Sequence, residues 1–312
     1  MAKILITGGS GFLGKQLALK LKEKNEILLG SRNNFLNQIA QEETGCSVVP
    51  LDVTNIESLR DVCNTFVPEI IIHAAATKYV NISEEQPLEC IDVNVVGSQN
   101  VARIAIDHSV KTVIGISSDK ASPPVTNMYG ISKALMEKMF CLLDYSNNTN
   151  FSCVRFGNIA WSTGSVFPIW KRMMEKNGII ESTGSNMKRF IFSVDDAADL
   201  VIRNIENIEL TKGKILSQKM KASKISNILK VWKDLFGTEW AAISQRIGES
   251  IEESMVGEKE LAYTKEVKID SIEHFLTSVR ESYQNNLKEP FNTESAEEHS
   301  ENEIINFIKL GM

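Results

Sequence analysis

The chain has 312 residues, of which 43% are hydrophobic and 24% are charged, as in ordinary globular proteins. Its net charge of −6 and pI near 5.5 exclude the broad basic face of a nucleic-acid scaffold. No apolar run approaches the roughly 20 residues of a membrane helix, and the N-terminus leads directly into a strand without a signal-peptide pattern. Five cysteines without paired spacing indicate reduced thiols and no metal site. We therefore predict a cytoplasmic protein with no membrane insertion and no nucleic-acid partner.

The first half of the chain alternates short apolar runs with stretches in which apolar residues recur at helical spacing. This alternation predicts an α/β fold of the Rossmann type, a doubly wound parallel sheet with right-handed crossovers. The predicted strands are 3–7, 26–30, 47–51, 68–75, 110–118 and 150–156, and the predicted helices are 12–24, 88–107 and 128–144.

A glycine-rich loop lies between the first predicted strand and the first predicted helix. Gly8, Gly11 and Gly14 let the backbone turn sharply and approach a pyrophosphate at the helix N-terminus, as dinucleotide binding requires. Their Gly-x-x-Gly-x-x-Gly spacing resembles the fingerprint of extended short-chain dehydrogenases. The alternative is a glycine-rich turn without a ligand. The predicted cofactor contacts in this loop are Thr7, Gly8, Ser10, Gly11, Phe12, Leu13 and Gly14.

The end of the second predicted strand favours NADP over NAD. An acidic residue at this point would accept a hydrogen bond from the ribose 2′-hydroxyl of NAD. The chain instead has Ser31 and Arg32, and a hydroxyl beside a guanidinium suits the 2′-phosphate of NADP. The alternative is a solvated surface arginine.

Tyr129 and Lys133 stand four residues apart in a predicted helix and therefore share one face. A nearby ammonium favours the phenolate, so we expect the pKa of Tyr129 to be lowered toward the range of a general base. The lysine can also hold the nicotinamide ribose. Tyr-x-x-x-Lys is common by chance, but its place after a glycine loop and a fifth strand indicates catalysis.

Ser118, Asp119 and Lys120 follow the fifth predicted strand, and ligands bind at the carboxyl ends of strands in such sheets. Simple reductases and epimerases need only the serine, which polarises the reacting hydroxyl. The adjacent acid and amine would add a donor for a leaving hydroxyl and a base for a carbon-bound proton. The alternative is a solvated charge pair in a loop.

The regular alternation ends near Asn158. We expect residues 1–159 to form an NADP-binding Rossmann domain, to whose sheet later segments return, and residues 160–285 to form mainly a smaller C-terminal substrate-binding lobe. Within 286–312, the polar and acidic part predicts a flexible linker. The last ten residues predict a short helix or strand docked on the same or a neighbouring subunit, or alternatively a frayed terminus.

Seven segments resemble the inverting UDP-N-acetylglucosamine 4,6-dehydratases, a polysaccharide biosynthesis family in the extended short-chain dehydrogenase/reductase superfamily. The resemblance covers roughly residues 3–255. A sister branch of dehydratase/5-epimerases typically has methionine where Tyr129 stands, so the tyrosine favours the first branch. The segments are 73–80, 86–94, 118–121, 129–133, 154–158, 164–168 and 187–190.

The resemblance implies NADP-dependent dehydration of a nucleotide-activated hexose, giving a 4-keto-6-deoxy sugar for surface polysaccharide synthesis. Tyr129, assisted by Lys133, would deprotonate the C4 hydroxyl while a hydride passes from C4 to NADP⁺. Lys120 would then remove the C5 proton and Asp119 would protonate the departing C6 hydroxyl, before the hydride returns to C6. Ser118 would orient the C4 oxygen. Because an amine base must be neutral, we expect a lowered pKa for Lys120.

The resemblance also implies further contacts and a homo-oligomer that pairs through helices flanking the sheet. Thr77, Tyr79 and Ser250 replace other residues of the family pattern, so the sugar and the nucleotide stay open. Implied cofactor contacts beyond the loop are Ser31, Arg32, Asp52, Val53, Ala74, Ala75, Ala76, Asn94, Tyr129 and Lys133. Implied substrate contacts are Lys78, Asn158, Ser165, Arg189, Arg246 and Glu249.

Two other functions stay open. In the first, the protein is a sugar-nucleotide 4-epimerase or 4-ketosugar reductase that uses Tyr129 and Lys133, with Asp119 and Lys120 merely structural. In the second, of a different class, it is a catalytically silent NADP-binding regulator, although the intact tyrosine–lysine pair argues against that function. Dehydration lowers the mass of the sugar nucleotide by one water, whereas epimerisation leaves it unchanged.

Overall fold

The computed structural model describes residues 1–245 and 248–312. Its strands are β1 Lys3–Thr7, β2 Glu26–Ser31, β3 Ser47–Pro50, β4 Ile70–His73, β5 Thr112–Ile116, β6 Asn150–Arg155, β7 Asn158–Ile159, β8 Ile179–Thr183, β9 Lys188–Phe192, β10 Lys214–Gln218, β11 Ala222–Lys224, β12 Glu239–Ile243, β13 Ser254–Val256, β14 Thr264–Ile269, β15 Ile272–Ser278 and β16 Phe291–Asn292. Its helices are α1 Phe12–Leu21, α2 Asn34–Thr44, α3 Ile56–Phe66, α4 Val80–Glu85, α5 Pro87–Ile91, α6 Gly97–Asp107, α7 Met128–Leu143, α8 Val166–Asn177, α9 Val194–Glu206, α10 Ile208–Thr211, α11 Ile225–Phe236 and α12 Glu301–Lys309.

A nine-stranded sheet in the order β14-β15-β10-β6-β5-β4-β1-β2-β3 forms the centre of the molecule. The strands from β3 to β10 in this order run parallel, and β15 is antiparallel to both β10 and β14. The predicted Rossmann-type fold is therefore confirmed. The register sets Thr7 beside Gly30 and His73, so the loops after β1, β2 and β4 meet at one edge of the sheet.

Helices cover both faces of the sheet. Apolar residues of α1, α2 and α9 pack on one face and those of α3, α6 and α7 on the other, because both faces of a parallel sheet must be shielded from water. A third apolar cluster lies in the smaller lobe, where Phe167, Trp170 and Trp232 pack with Ile304 and Ile308 of the last helix. No helix in the described parts of the chain is long and apolar enough to cross a membrane.

The stretch predicted as one helix over 88–107 has three parts. A π-helical turn, Asp92–Val96, separates α5 from α6. A π turn inserts one residue into the helical repeat and is frequent at functional sites. It holds Asn94, whose amide donates to the Thr77 carbonyl at 2.9 Å and to Ser132 Oγ at 2.9 Å.

The polar segment 285–302, whose composition predicts a flexible linker, packs against the protein. Phe291 is 8% exposed and contacts the rings of Phe190 and Phe275. The strand that contains it pairs with β13. The segment is polar overall, but a few well-spaced apolar residues suffice to fix it.

Candidate active site

The glycine loop forms the tightest turn of the cofactor cleft. Gly8 has φ +69°, and a Cβ there would stand 2.7 Å from the backbone nitrogen of Ala75, so only glycine fits between β1 and the loop after β4. A cleft of about 780 Å³ extends from this turn along the carboxyl edge of the sheet. Its lining includes the predicted cofactor residues Gly8, Ser10, Gly11, Phe12, Leu13, Gly14, Ser31, Arg32, Val53, Ala74, Ala75, Ala76, Tyr129 and Lys133.

Three predicted cofactor residues do not line the cleft but support its walls. Thr7 Oγ1 is hydrogen-bonded to His73 Nδ1 at 2.8 Å. Asp52 Oδ1 accepts from the backbone and the hydroxyl of Thr54 at 2.9 and 2.8 Å. The third is Asn94 in the π turn. These residues therefore shape the cofactor loops from behind.

The corner beyond β2 combines hydroxyls with a half-exposed cation. Ser10 Oγ and Ser31 Oγ lie 2.5 Å apart, and Ser31 Oγ donates to Asn37 Oδ1 at 2.7 Å. Arg32 is about half exposed and pairs with Glu89 at 3.3 Å. Such an exposed ion pair contributes little free energy, so the guanidinium can exchange that carboxylate for an anionic ligand. Sequence reasoning missed Asn37, since only α2 brings it under Ser31.

Helix α7 lies directly against the turn that follows β5. A Cβ on Gly130 would stand 2.1 Å from the carbonyl oxygen of Lys120, so the close packing of helix and turn requires glycine. Asn127 caps the helix by accepting from the backbone nitrogen of Gly130 at 2.8 Å. The Tyr129 side chain lies beside Ser118. The structure thus brings both predicted catalytic motifs together.

The pKa of Tyr129 is raised to about 12, chiefly by burial, opposite to the expected lowering. Lys133 Nζ donates to the backbone carbonyl of Ile116 at 2.7 Å, and burial lowers the pKa of this lysine to about 8. The Lys133 ammonium is therefore hydrogen-bonded to the last residue of β5. The groups that favour the phenolate are Lys120, by its charge, and Ser118, by its hydrogen bond.

Asp119, Lys120 and a residue absent from the predicted site, Glu253, form a buried acid–amine–acid cluster. Lys120 Nζ lies 3.1 Å from Asp119 Oδ1 and 2.7 Å from Glu253 Oε1. The Asp119 side chain is fully buried behind the cleft lining, and 18% of the Lys120 side chain stays accessible. The amine is therefore open to a ligand in the cleft, with the acid in contact behind it.

The charges in this cluster correct the prediction for Lys120. Burial lowers its pKa, but the adjacent Asp119 and Glu253 carboxylates outweigh burial, and the net shift is upward instead of the predicted downward one. Burial and the charge of Glu253 raise the pKa of Asp119 to about 7. Lys120 and Arg189 lower the pKa of Glu253 to about 2 against the effect of burial. The site therefore contains an ammonium, an ionised carboxylate and a carboxyl that readily holds a proton.

Glu253 is held in place from both sides. The backbone nitrogen of Glu253 donates to Thr293 Oγ1 at 3.3 Å, and the Glu253 carbonyl accepts from the backbone nitrogen of Thr293 at 2.9 Å. Two residues later, the carbonyl of Met255 accepts from the buried guanidinium of Arg155 at 2.8 Å. No motif signals this glutamate in the sequence, where it follows Glu252 in a polar stretch.

The predicted substrate residues Lys78, Asn158, Ser165, Arg189 and Glu249 line the far end of the cleft. The Arg189 guanidinium donates to the backbone carbonyls of Lys188 and Ser250 at 2.8 and 2.7 Å, so the protein itself holds it. Ser165 Oγ is buried without a hydrogen-bond partner in the described chain, as is suitable for a ligand contact. Arg246 lies outside the described residues.

Comparison with known proteins shows which family the chain belongs to. The profile of a family described as polysaccharide biosynthesis protein matches residues 4–274. The chain belongs to this polysaccharide biosynthesis family. The UDP-N-acetylglucosamine 4,6-dehydratase (inverting) of Campylobacter jejuni is 33% identical over 278 residues, 84% of this chain and 80% of the relative. The predicted resemblance to such dehydratases of the extended short-chain dehydrogenase/reductase superfamily is confirmed.

Other similar proteins show how the family fold is shared. The UDP-glucose 4-epimerase of Rickettsia typhi is also 33% identical, over 273 residues that cover 83% of this chain and 79% of the relative. The X-ray structure of Pen from Bacillus thuringiensis superposes with a TM-score of 0.91 at 26% identity, covering 100% of this chain and 98% of that one. The proteins similar to this chain thus include both a dehydratase and an epimerase.

Proposed function

We propose that the protein is an NADP-dependent 4,6-dehydratase that converts UDP-N-acetylglucosamine into a 4-keto-6-deoxy sugar nucleotide. The observation that carries the proposal is the buried Asp119 beside the accessible Lys120, on the turn against which Tyr129 packs. A 4-epimerase requires only proton and hydride exchange at C4 and has no use for a second acid–amine pair. Elimination of water needs one group for the C5 proton and another for the C6 hydroxyl.

The cleft has groups suited to each charged part of NADP. The Gly8 turn leaves its backbone open to a pyrophosphate at the N-terminus of α1. Ser10, Ser31 and Arg32 supply hydroxyls and a guanidinium for a 2′-phosphate, and Ser31 and Arg32 stand at the end of β2, where an acidic residue would select NAD. When bound, NADP supplies the hydride acceptor and donor that the sugar chemistry requires. Lys133, at the end of β5, is positioned to hold a ribose hydroxyl.

At C4, the chain supplies a base and an orienting hydroxyl. Tyr129 takes the proton of the C4 hydroxyl, and the positive charge of Lys120 together with Ser118 stabilises the phenolate that precedes this step. Ser118 Oγ donates to Asp119 Oδ1 at 2.8 Å and accepts from the backbone nitrogen of Lys120 at 3.3 Å, which fixes the position of the hydroxyl. The resulting ketone acidifies the proton on C5.

At C5 and C6, the turn residues act as a pair. Lys120, once neutral, removes the C5 proton while the C6–oxygen bond breaks, and Asp119 gives its proton to the departing hydroxyl, which leaves as water. Return of a proton to C5 from the Lys120 ammonium completes the exchange. The proton taken from the C4 hydroxyl replaces the one that Asp119 lost, and Lys120 regains from solvent the proton that it released before acting as a base, so the site returns to its starting state.

The test is incubation of the purified protein with a panel of UDP-, GDP- and dTDP-sugars, analysed by mass spectrometry and NMR. We expect UDP-N-acetylglucosamine to lose the mass of one water and the NMR spectrum to show a C6 methyl group. Nucleotide extracted from the protein should be NADP. Conversion without loss of mass would instead support a 4-epimerase, which the 33% identical Rickettsia relative makes the second candidate. Absence of any turnover would support a non-catalytic NADP-binding protein.

A further inference from the structure

The buried Asp119 and Glu253 carboxyl groups contact the same ammonium, with Lys120 Nζ 3.1 Å from Asp119 Oδ1 and 2.7 Å from Glu253 Oε1. Repulsion between two carboxylates in one buried site favours a single proton held by the pair. The question is which carboxyl group holds that proton before the sugar reacts.

The donors around the two groups answer it. Glu253 Oε1 lies 2.7 Å from Lys120 Nζ and 3.4 Å from Arg189 Nε, and Oε2 accepts from Asn158 Nδ2 at 3.3 Å. Both oxygens of Glu253 are therefore occupied by donors, two of them cations. Asp119 is different: Oδ1 accepts from Ser118 and Lys120, but Oδ2 is buried without a partner in the described chain. A proton is stabilised on the oxygen that no donor reaches.

We propose that Glu253 is a positioning residue that stays ionised and keeps the carboxyl proton on Asp119 Oδ2, ready for the leaving C6 hydroxyl. This inference rests on the proposed dehydration. The charged and titratable groups that face Glu253 are Lys120 and Asp119 from the turn after β5 and Arg189 from β9.

The proton transfers balance. Lys120, whose side chain is 18% accessible, releases its ammonium proton to solvent and becomes a neutral amine, which then takes the C5 proton as the C5–C6 double bond forms. Asp119 gives its proton to the C6 oxygen, and water leaves. The proton that Tyr129 took from the C4 hydroxyl then replaces the one that Asp119 lost, and Glu253 stays ionised throughout.

The first test compares the wild-type enzyme with Glu253→Gln and, as a matched control, Glu252→Gln at the exposed neighbouring position. With UDP-N-acetylglucosamine, Glu253→Gln should still reduce the bound nicotinamide, which reports C4 oxidation, while release of dehydrated product falls about a hundredfold. The pH above which product formation declines should shift to lower values, because Asp119 loses its carboxylate neighbour. Glu252→Gln should match the wild type, and Glu253→Asp should recover part of the loss.

Different failures have different meanings. A wild-type protein that dehydrates no sugar nucleotide contradicts the proposed function itself. A wild type that dehydrates, with Glu253→Gln equally fast at every pH, overturns the role of Glu253 alone. An equal loss of C4 oxidation and elimination, or loss of NADP binding, also overturns it, since Glu253 would then be merely structural.

A second measurement is independent of whether Glu253→Gln folds. Infrared difference spectra of wild type minus Asp119→Asn at neutral pH should contain the C=O band of a protonated carboxyl. Deuterium exchange identifies that band by its small shift. If the difference spectrum contains only carboxylate bands, Asp119 is ionised in the resting enzyme and the proposal is wrong.

Discussion

At the scale of single residues, the protonation states of the site's side chains decide what chemistry the site can do. An ammonium, a carboxylate and a carboxyl lie in contact at Lys120, Glu253 and Asp119. Their charges nearly cancel, which lowers the free-energy cost of burying them together. Motifs alone predicted that the acid and the amine act together but gave the wrong direction for the lysine pKa. The error arose because Glu253 was missing from the set of neighbours.

The acid role of Asp119 predicts a pH dependence. Its pKa is raised to about 7 by burial and by the charge of Glu253. The general acid is active only when protonated, so the rate of elimination should be full below about pH 7 and decline as the pH rises through that value. Product formation measured from acid to alkaline pH checks this, with substrate affinity measured at each pH as the control. A rate that keeps rising well above pH 7 would contradict the assignment.

At the scale of secondary-structure elements, the contact between α7 and the turn after β5 aligns the two catalytic motifs. The strands β1 to β6 lie where alternation and apolar runs predict them, to within about two residues at each end, since burial on both faces leaves a clear signal. The π turn at Asp92–Val96 could not be predicted, because its residues are compatible with an ordinary α-helix. Hydrogen bonds from Asn94 to Thr77 and Ser132 fix it.

The substitution Gly130→Ala should separate α7 from the turn after β5. The added methyl would meet the Lys120 carbonyl at 2.1 Å, so either the helix or the turn must move. We expect kcat to fall roughly a hundredfold, as for a displacement of about 1 Å in a catalytic group, while KM changes little. Steady-state kinetics and thermal unfolding check this, with Lys138→Ala on the exposed face of the same helix as the control. A variant with wild-type kcat would show that the close contact is dispensable.

At the scale of the whole molecule, the chain beyond the Rossmann half completes the site. Strands β10, β14 and β15 extend the central sheet, while Thr293 and β16 hold the segment that carries Glu253. The sequence predicted a polar linker over part of this region, because composition reports average polarity and not the few buried positions such as Phe291 and Thr293. Contacts between segments far apart in sequence leave no local pattern, which is why Glu253 escaped prediction.

The outer surface of α7 predicts self-association. Ile131, Leu135 and Leu142 are between 42% and 49% exposed, and Leu88 on the neighbouring α5 is 75% exposed. Apolar residues grouped in this way usually mark an interface. We expect a homo-oligomer that the double variant Ile131→Lys, Leu135→Lys disrupts, as measured by light scattering. Leu210→Lys on α10 is the control, and an unchanged mass for the double variant would contradict this interface.

The dehydration chemistry that Lys120 is proposed to supply is tested most directly by Lys120→Ala incubated with UDP-N-acetylglucosamine beside the wild type. We predict that the wild type releases the dehydrated 4-keto-6-deoxy product, and that Lys120→Ala reduces its bound nicotinamide but forms that product at least about a hundredfold more slowly. Formation of the 4-keto-6-deoxy product by Lys120→Ala at near wild-type rate would contradict the assignment of Lys120 as the base at C5.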